Sequence, residues 1–373
     1  MALSSTAAST ADRPHRARPG RLALAGARPD RWVLAVVIVI ASGVRWWGLD
    51  YSLPSVFYPD EGRVMEDVRA MAATGTLRPE YFSYPTFWLY VLAVLVKAGA
   101  SLSLLVGAPF GPAPLDNPTF VYGTGRAAAA LAGTLTLIPL YLVTERVARA
   151  FGVARPALVG LLACGFLGLA PLHVQHSKIA SPDVPTTAFV TLALFACLRI
   201  FEDGRTRWYV LAALATGAAA GTKYPSALAA ITLVVAHVAR HCRAGGGSIG
   251  VVRRIGLDYR IWLAGLLTAC FFLATSPYVL LDYERFRADL AYEASKAFDR
   301  GANGLIGSAG RAEGALFVPT VLRRGLDTLV ALFALLGLGW AAWVAVRRPS
   351  ARGYVALLLT YPLLVYLFTW SWR

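Results

Sequence analysis

Charged residues are scarce in this sequence. Asp, Glu, Lys and Arg together make up 15% of its 373 residues, whereas soluble domains contain about 25%. Apolar residues account for 57%, and because so many apolar side chains cannot remain solvated, an intrinsically disordered chain is excluded. The composition therefore indicates an integral membrane protein.

Cysteine and acidic residues are also few. The four cysteines form no CxxC pair and show neither a zinc-ligand spacing nor a disulfide framework, so we expect free thiols. The 21 acidic residues are outnumbered by 36 basic ones, which makes the net charge +15. A nucleic-acid partner would require that charge to lie along one folded face.

Nine apolar runs predict transmembrane helices, because each is long enough and poor enough in charge to cross a bilayer. They cover about residues 32–49, 121–143, 157–174, 184–201, 208–221, 225–239, 261–275, 326–346 and 353–371. A further run, Thr86–Gly107, has Lys97 at its centre and polar stretches on both sides, so we expect it to lie in the interface. The amphipathic segment Leu281–Lys296 predicts a second interfacial helix. We therefore expect an all-α polytopic membrane protein.

The arginines predict its orientation. The segments on one side of these spans carry 20 Arg and no Lys against six acidic residues, while the opposite side carries 14 basic and 14 acidic residues. By the positive-inside rule the N-terminus is cytoplasmic and the C-terminus is outside the cell membrane. Residues 1–31 then form a disordered basic tail, and residues 32–373 form one transmembrane domain with outer loops 50–120, 172–183 and 276–325. The positive charge marks orientation and predicts no nucleic-acid partner.

An acidic pair, Asp60-Glu61, precedes a helix-like run in the first outer loop. One interpretation is that Asp60 caps this helix and Glu61 interacts with its positive N-terminal dipole. The other is that one carboxylate acts as a general base on an acceptor hydroxyl while the other positions a substrate or a cation. Further along, Tyr84 is either an aromatic anchor at the headgroups or part of a groove for a lipid or sugar.

The second outer loop is rich in titratable residues: His173, His176, Lys178 and Asp183. The two histidines could share a metal only within a helix, and the neighbouring prolines argue against a helix there. Asp183 either starts the next helix or belongs to a site at the membrane boundary. Lys178 is interpreted as a phosphate-binding charge, and Arg126 and Lys223 either snorkel or neutralise a lipid-linked phosphate.

The order of these features resembles the GT-C glycosyltransferases. The Asp60-Glu61 pair, the Tyr84-Pro85 element, an arginine at the head of a span, the HSKIASPD loop and the GTKY turn carry the resemblance over about residues 32–300. It is strongest to the branch of the protein O-mannosyltransferases and aminoarabinose transferases. The resemblance implies a GT-C-type bundle of about nine transmembrane helices. It further implies an enzyme that transfers a sugar from a polyprenyl-phosphate carrier to an acceptor protein, lipid or glycan at the outer face.

The resemblance also implies roles for residues. Asp60 would be the general base and Glu61 its partner. The substrate and phosphate contacts would be Tyr84, Arg126, His176, Lys178, Asp183, Lys223 and Tyr224. No cofactor is certain, and a divalent cation, if one is used, would be held by Asp60 and Asp183. Many relatives continue beyond the point where this chain stops, so truncation at the C-terminus is one interpretation of its end.

A transporter or flippase of a lipid-linked substrate is the alternative function. Such a protein is expected to place paired charges and broken helices near the bilayer midplane. Here the centres of the apolar runs are almost uncharged, and the Asp and Lys residues lie at their predicted outer ends. This distribution favours the enzyme.

Overall fold

We describe a computed structural model of the chain over residues 29–107, 110–245, 247–303 and 328–370. Within these ranges the ordered elements are α-helices and short 3-10 turns, without a strand. The expected all-α architecture is therefore confirmed. Most of the predicted basic tail, 1–31, and part of the outer loop 276–325 lie outside the described residues.

The first half of the chain contains the helices that carry the acidic pair and the second outer loop. They are α1 (Pro29–Trp46), α2 (Pro59–Thr74), α3 (Phe87–Val106), α4 (Pro118–Leu135), α5 (Leu137–Ala150), α6 (Pro156–Leu169), α7 (Pro171–His176) and α8 (Asp183–Asp203). The second half is α9 (Thr206–Thr222), α10 (Ala229–Arg243), α11 (Ser248–Leu257), α12 (Tyr259–Thr275), α13 (Tyr278–Leu281), α14 (Tyr283–Asn303), α15 (Thr328–Arg347) and α16 (Arg352–Trp370). The helix α14 covers residues 283–296 of the predicted interfacial segment 281–296.

Six helical stretches of the described chain are long and apolar enough to cross a membrane. They are Phe87–Val106, Pro118–Ala150, Asp183–Asp203, Tyr224–Arg243, Ser248–Thr275 and Pro349–Phe368. Two shorter apolar helices, Pro156–Leu169 and Leu332–Arg347, accompany them. The chain is a multi-pass membrane protein, and the expected number of nine spans stays a prediction.

The two ends of the bundle can be told apart by their contacts. At the upper end, α8 begins and α9 ends, and Gly221 near the end of α9 packs against Thr275, the last residue of α12. At the lower end, α8 and α10 both end, and Arg240 of α10 donates a hydrogen bond to the carbonyl of Ile200 in α8 (3.4 Å). A 21-residue helix such as α8 separates the two ends by about 30 Å.

Helix α3 lies across the upper end. At its start, the hydroxyl of Thr86 donates to the carbonyl of Thr275 (2.7 Å). Towards its end, Gly99 packs against the ring of Phe120 at the start of α4, and the ring of Phe110, beyond α3, lies 5.2 Å from the same ring. Because both of its ends contact upper-end residues, α3 has the placement expected of an interfacial helix, although its length would also allow it to span.

Small residues let the helices beneath the upper end approach closely. Helix α9 is rich in Ala and Gly and is buried over most of its length, as is common where membrane helices pack closely. A Cβ atom added at Gly217 would lie 3.0 Å from the side chain of Phe271 in α12. This packing fixes the ends of α8, α9 and α12 relative to one another, and the polar side chains at those ends are fixed with them.

Candidate functional site

Asp183 is the centre of a charged cluster at the upper end. It begins α8, and its Oδ1 accepts a hydrogen bond from the ammonium of Lys223, just beyond the end of α9. Its Oδ2 accepts from the hydroxyl of Ser181 (3.2 Å) and lies 3.5 Å from Nδ1 of His176. The structure thus brings together three of the predicted site residues, from the second outer loop and the GTKY turn.

Asp60 lies in the first turn of α2, which begins at Pro59 without a side-chain cap. The interpretation of Asp60 as the cap of this helix is therefore wrong. The Asp60 side chain is exposed, and no residue in the described ranges gives it a hydrogen bond or an ion pair. Its carboxylate is therefore open to the surroundings at the upper end of the bundle.

The pKa values of two tyrosines are affected by both Asp60 and Asp183. Burial raises the pKa of Tyr58, and the carboxylates of Asp183 and Asp60 raise it further. Burial likewise raises the pKa of Tyr84, again with contributions from Asp60 and Asp183. The same two carboxylates thus act on both phenol groups. The ring of Tyr58 also packs edge-on against His176, with centroids 5.9 Å apart.

Glu61 and Arg126 form a buried ion pair. The guanidinium Nε and Nη2 of Arg126 each donate to one carboxylate oxygen of Glu61, both at 2.8 Å, while Nη1 donates to the carbonyls of Leu49 (2.9 Å) and Tyr51 (2.8 Å). Glu61 also accepts from the backbone N–H of Ala180 (2.9 Å). Glu61 is 1% exposed, and the side chain of Arg126 is 7% exposed. The pair joins α2 to α4 and, through its backbone partners, to residues 49–51 and to the second outer loop.

A cavity of about 500 Å³ lies beside this ion pair and is lined in part by Tyr58, Glu61, Arg126 and Lys178. Among the described residues, the ammonium of Lys178 has no hydrogen-bond or ion-pair partner, in contrast to Arg126 and Lys223. An unpaired cation in a concave site is suited to an anionic group such as a phosphate.

A second cavity of about 590 Å³ lies between α9, α10 and α12, and its walls are almost entirely apolar. Tyr224 lines it, next in sequence to Lys223, and the ring of Tyr224 lies 5.9 Å from that of Phe286 in α14. No partner for the buried Tyr224 hydroxyl is found in the described part of the chain. Tyr224 is thus placed between the charged cluster and an apolar cavity.

The segment that carries Tyr84 is held by α14. Arg78 pairs with Asp282 (Nε to Oδ2, 2.8 Å), and the backbone N–H of Phe82 donates to Asp289 (3.0 Å). The hydroxyl of Ser83 donates to Glu293 (3.0 Å). The helix α14 therefore fixes one wall of the site through side-chain contacts to residues just before Tyr84.

His173 and His176 do lie in a helix, α7, so the expectation drawn from the prolines is wrong. Pro171 occupies its first position, where a missing N–H leaves no hydrogen bond unmade. The two side chains nevertheless have different partners, because His173 Nδ1 lies 2.9 Å from Nη2 of Arg45, whereas His176 faces Asp183. A divalent cation held by Asp60 and Asp183 stays a prediction, and Lys223 already neutralises one of these carboxylates.

Sequence reasoning missed two features. The first is Tyr58, and the signal for it is an aromatic residue two positions before Asp60. Within the described ranges, His237, His241 and Asp258 form a group whose donor atoms lie within 4.8 Å of one another, at the lower end. Two histidines four residues apart on one helix were its sequence signal.

The helical bundle aligns over most of its length with solved structures of membrane glycosyltransferases, described below. The expected GT-C-type bundle is therefore confirmed at the level of the fold. Residues 123–245 match the model of the dolichyl-phosphate-mannose-protein mannosyltransferase family. That range includes Arg126, His176, Lys178, Asp183, Lys223 and Tyr224. A comparison with curated proteins finds no significant match.

Two solved structures share the fold. ArnT from Cupriavidus metallidurans, bound to undecaprenyl phosphate, aligns with a TM-score of 0.54 and 20% identity over 91% of this chain and 61% of that chain. The archaeal oligosaccharyltransferase AglB from Archaeoglobus fulgidus, in complex with an inhibitory peptide and a dolichol-phosphate, aligns with a TM-score of 0.53 and 13% identity. The latter match covers 92% of this chain and 47% of AglB. The chain therefore spans less than two thirds of either protein.

Proposed function

We propose that the protein is a membrane glycosyltransferase that moves a sugar, a hexose or a pentose, from a polyprenyl-phosphate carrier to a hydroxyl of a protein, lipid or glycan acceptor. The observation that carries the proposal is that two charged side chains near Tyr58 have no partner among the described residues. Asp60 is exposed without a partner in the described chain, and Lys178 lines the adjacent cavity. A carboxylate and a cation of this kind are what sugar transfer from a phosphate requires.

In the proposed reaction Asp60 accepts the proton of the acceptor hydroxyl. The acceptor oxygen then bonds to the anomeric carbon of the sugar with inversion, and the bond between that carbon and the phosphate oxygen breaks. The polyprenyl phosphate leaves with the additional negative charge, which Lys178 stabilises. Asp183, fixed by Lys223 and His176, orients the sugar together with the Tyr84 hydroxyl.

We assign structural and binding roles to the remaining residues on the basis of their contacts. Glu61 and Arg126 direct their hydrogen bonds to each other and to the backbone, so we assign them to holding the cavity wall. The apolar cavity beside Tyr224 suits the hydrocarbon part of the carrier. With the N-terminus in the cytoplasm, as the arginines predict, the reaction takes place at the outer face of the cell membrane.

The substitution Asp60→Asn tests the proposal. Membranes containing the wild-type protein should consume a radiolabelled polyprenyl-phosphate sugar when an extract supplies acceptors, and the variant should do so at least about 100-fold more slowly, because a general base contributes on that order. Glu66→Gln is the matched control, since Glu66 is an exposed acid on the same helix.

Both variants should unfold at the wild-type temperature. Full activity of Asp60→Asn would refute its role as the base. Movement of the intact lipid-linked sugar across vesicle membranes without any transfer would instead support the flippase alternative.

A further inference from the structure

The lower end of the bundle contains a second polar cluster, remote from the proposed reaction. His237 and His241 are four residues apart on α10, and Asp258 directly precedes α12. One donor atom from each lies within 4.8 Å of the other two, and the rings of the two histidines are 4.7 Å apart. His237 is 1% exposed, and the side chains of His241 and Asp258 are 12% and 6% exposed.

Neighbouring groups orient two of these three side chains. The hydroxyl of Tyr209 lies 2.7 Å from Nδ1 of His237, and Nε of Arg260 donates to Oδ1 of Asp258 (2.7 Å). The second donor atoms, Nε2 of His237 and Oδ2 of Asp258, have partners as well, and Nε2 of His237 lies 3.1 Å from the carbonyl oxygen of Ile255. The Oδ2 atom lies 3.1 Å from Nε2 of His241. Histidine ligands of metals are commonly oriented in this way, by a hydrogen bond to the second ring nitrogen.

From this geometry we propose that His237, His241 and Asp258 bind a divalent transition metal, with zinc as the best fit. Two imidazole nitrogens and one carboxylate oxygen are a common ligand set for zinc. Zinc bonds of about 2.0–2.2 Å place tetrahedral ligand atoms about 3.3–3.6 Å apart. Asp258 Oδ2 and His241 Nε2, 3.1 Å apart, already have about this spacing. The inward movement, of roughly 1 Å, therefore falls on His237, and side-chain rotation supplies it. A water or the Ile255 carbonyl, 3.1 Å from His237 Nε2, completes the coordination.

Binding requires particular protonation states. Nε2 of His237 must be unprotonated, so its proton resides on Nδ1, which then donates to the hydroxyl oxygen of Tyr209. The same requirement applies to Nε2 of His241. Asp258 is ionised, and the guanidinium of Arg260 stays on its outer oxygen. The metal replaces the hydrogen bonds of the two Nε2 atoms, from His237 to the Ile255 carbonyl and from His241 to Asp258. The outer contacts of Tyr209 and Arg260 stay in place.

The metal would stabilise a weakly packed part of the fold. Helix α11 joins α10 to α12, and none of its residues is buried, so few contacts hold it. The ligands lie on α10 before this helix and at Asp258 directly after it. A bound ion would therefore link α10 to the start of α12 and would fix the connection through which α11 passes.

The test uses the full-length protein, purified in detergent with a histidine-free tag, stripped with a chelator and then incubated with zinc chloride. We expect about one zinc per chain after removal of excess ion, and a higher unfolding temperature than in the chelator. His241→Ala and Asp258→Asn should lose both the retained zinc and the stabilisation. Cys242→Ala is the matched control, because this exposed thiol is next to His241 and could bind zinc by itself.

The proposal is overturned if the wild-type protein retains no stoichiometric zinc, if His241→Ala retains it, or if Cys242→Ala loses it. If a ligand variant fails to fold, Tyr209→Phe decides the question. That change removes only the hydroxyl beside His237, and loss of such an outer partner typically weakens metal binding 10–100-fold. Unchanged zinc affinity in Tyr209→Phe would then count against the site.

Discussion

At the scale of single residues, Asp60 and Glu61 are neighbours in sequence with opposite surroundings. Asp60 is exposed and takes no partner from the described residues, whereas Glu61 is buried and accepts hydrogen bonds from Arg126 and the N–H of Ala180. A carboxylate that already accepts three such bonds has little capacity left for a substrate. We therefore assign chemistry to the first and structure to the second.

Glu61→Gln should destabilise the protein. The neutral amide leaves the guanidinium of Arg126 buried without a counter-charge, and losing one partner of a buried pair costs about 3–5 kcal/mol. Thermal unfolding in detergent, followed by tryptophan fluorescence, should show a clearly lower midpoint.

A double variant provides the control for this prediction. Glu61→Gln combined with Arg126→Gln should recover part of the lost stability, because no uncompensated charge remains. A single variant that unfolds at the wild-type temperature but has lost transfer activity would show that Glu61 takes part in the chemistry.

The sequence predicts that Asp183 and Lys223 lie at the same face, but it does not predict the contact between Glu61 and Arg126. Alternating spans place the start of α8 and the end of α9 at one face, so Asp183 and Lys223 were expected together. Glu61 and Arg126 are 65 residues apart, and hydropathy fixes how deep a residue lies without fixing which way its helix is rotated. For the same reason, the sequence alone does not show that His237, His241 and Asp258 lie together.

At the scale of elements, the segment between α2 and α3 is held from both sides by carboxylates. On one side lie Asp289 and Glu293 of α14 and Asp282, which directly precedes that helix. Helix α2 contributes Asp67, which is buried and accepts a hydrogen bond from the N–H of Glu80 (2.9 Å). This segment leads to Tyr84, so its position determines one wall of the site.

Asp67→Asn should stabilise the protein in a pH-dependent manner. Burial raises the pKa of Asp67 from 3.8 to about 6, only partly offset by the Glu80 hydrogen bond. The folded state therefore favours the protonated acid, whose contribution to stability is present below about pH 4 and is lost as the pH rises through 6. At pH 8 the variant removes a buried charge and should gain about 1–3 kcal/mol.

The asparagine can accept the same hydrogen bond, so the gain should shrink at pH 5. Midpoints of thermal unfolding at the two pH values measure the difference. Glu66→Gln, exposed on the same helix, should give a much smaller pH-dependent gain, because Glu66 is a minor contributor to the raised pKa of Asp67. An equal gain at both pH values would show that the titration of Asp67 does not contribute.

At the scale of the whole molecule, the charges predict which end of the bundle faces the cell exterior. The Arg-rich segments lie at the lower end, with Arg240 of α10 and Arg199 of α8 as examples, and the proposed reaction lies at the upper end. Cysteine accessibility can test this directly, because Cys242 is exposed at the lower end while Cys164 and Cys197 are buried.

A protein whose only exposed cysteine is Cys242, made by Cys270→Ala, should not react with an impermeant thiol reagent in intact cells. A second protein with Ala73→Cys on α2, and with Cys242 and Cys270 both replaced by alanine, should react readily. Detergent permeabilisation, after which both should react, controls for burial. Labelling of Cys242 in intact cells would show the opposite orientation and would place the proposed reaction at the cytoplasmic face.

The position of α3 has a consequence for the surrounding lipid. Its 20 residues form a rod about 30 Å long that lies across one end of the bundle, and α2 and α14 add further bulk at that same end. With α3 in the interface, as we expect, the protein would displace more lipid from one leaflet than from the other, as a wedge does. A wedge-shaped protein responds to the lateral pressure and curvature of its bilayer, so lipid composition should influence how tightly α3 is held against the site.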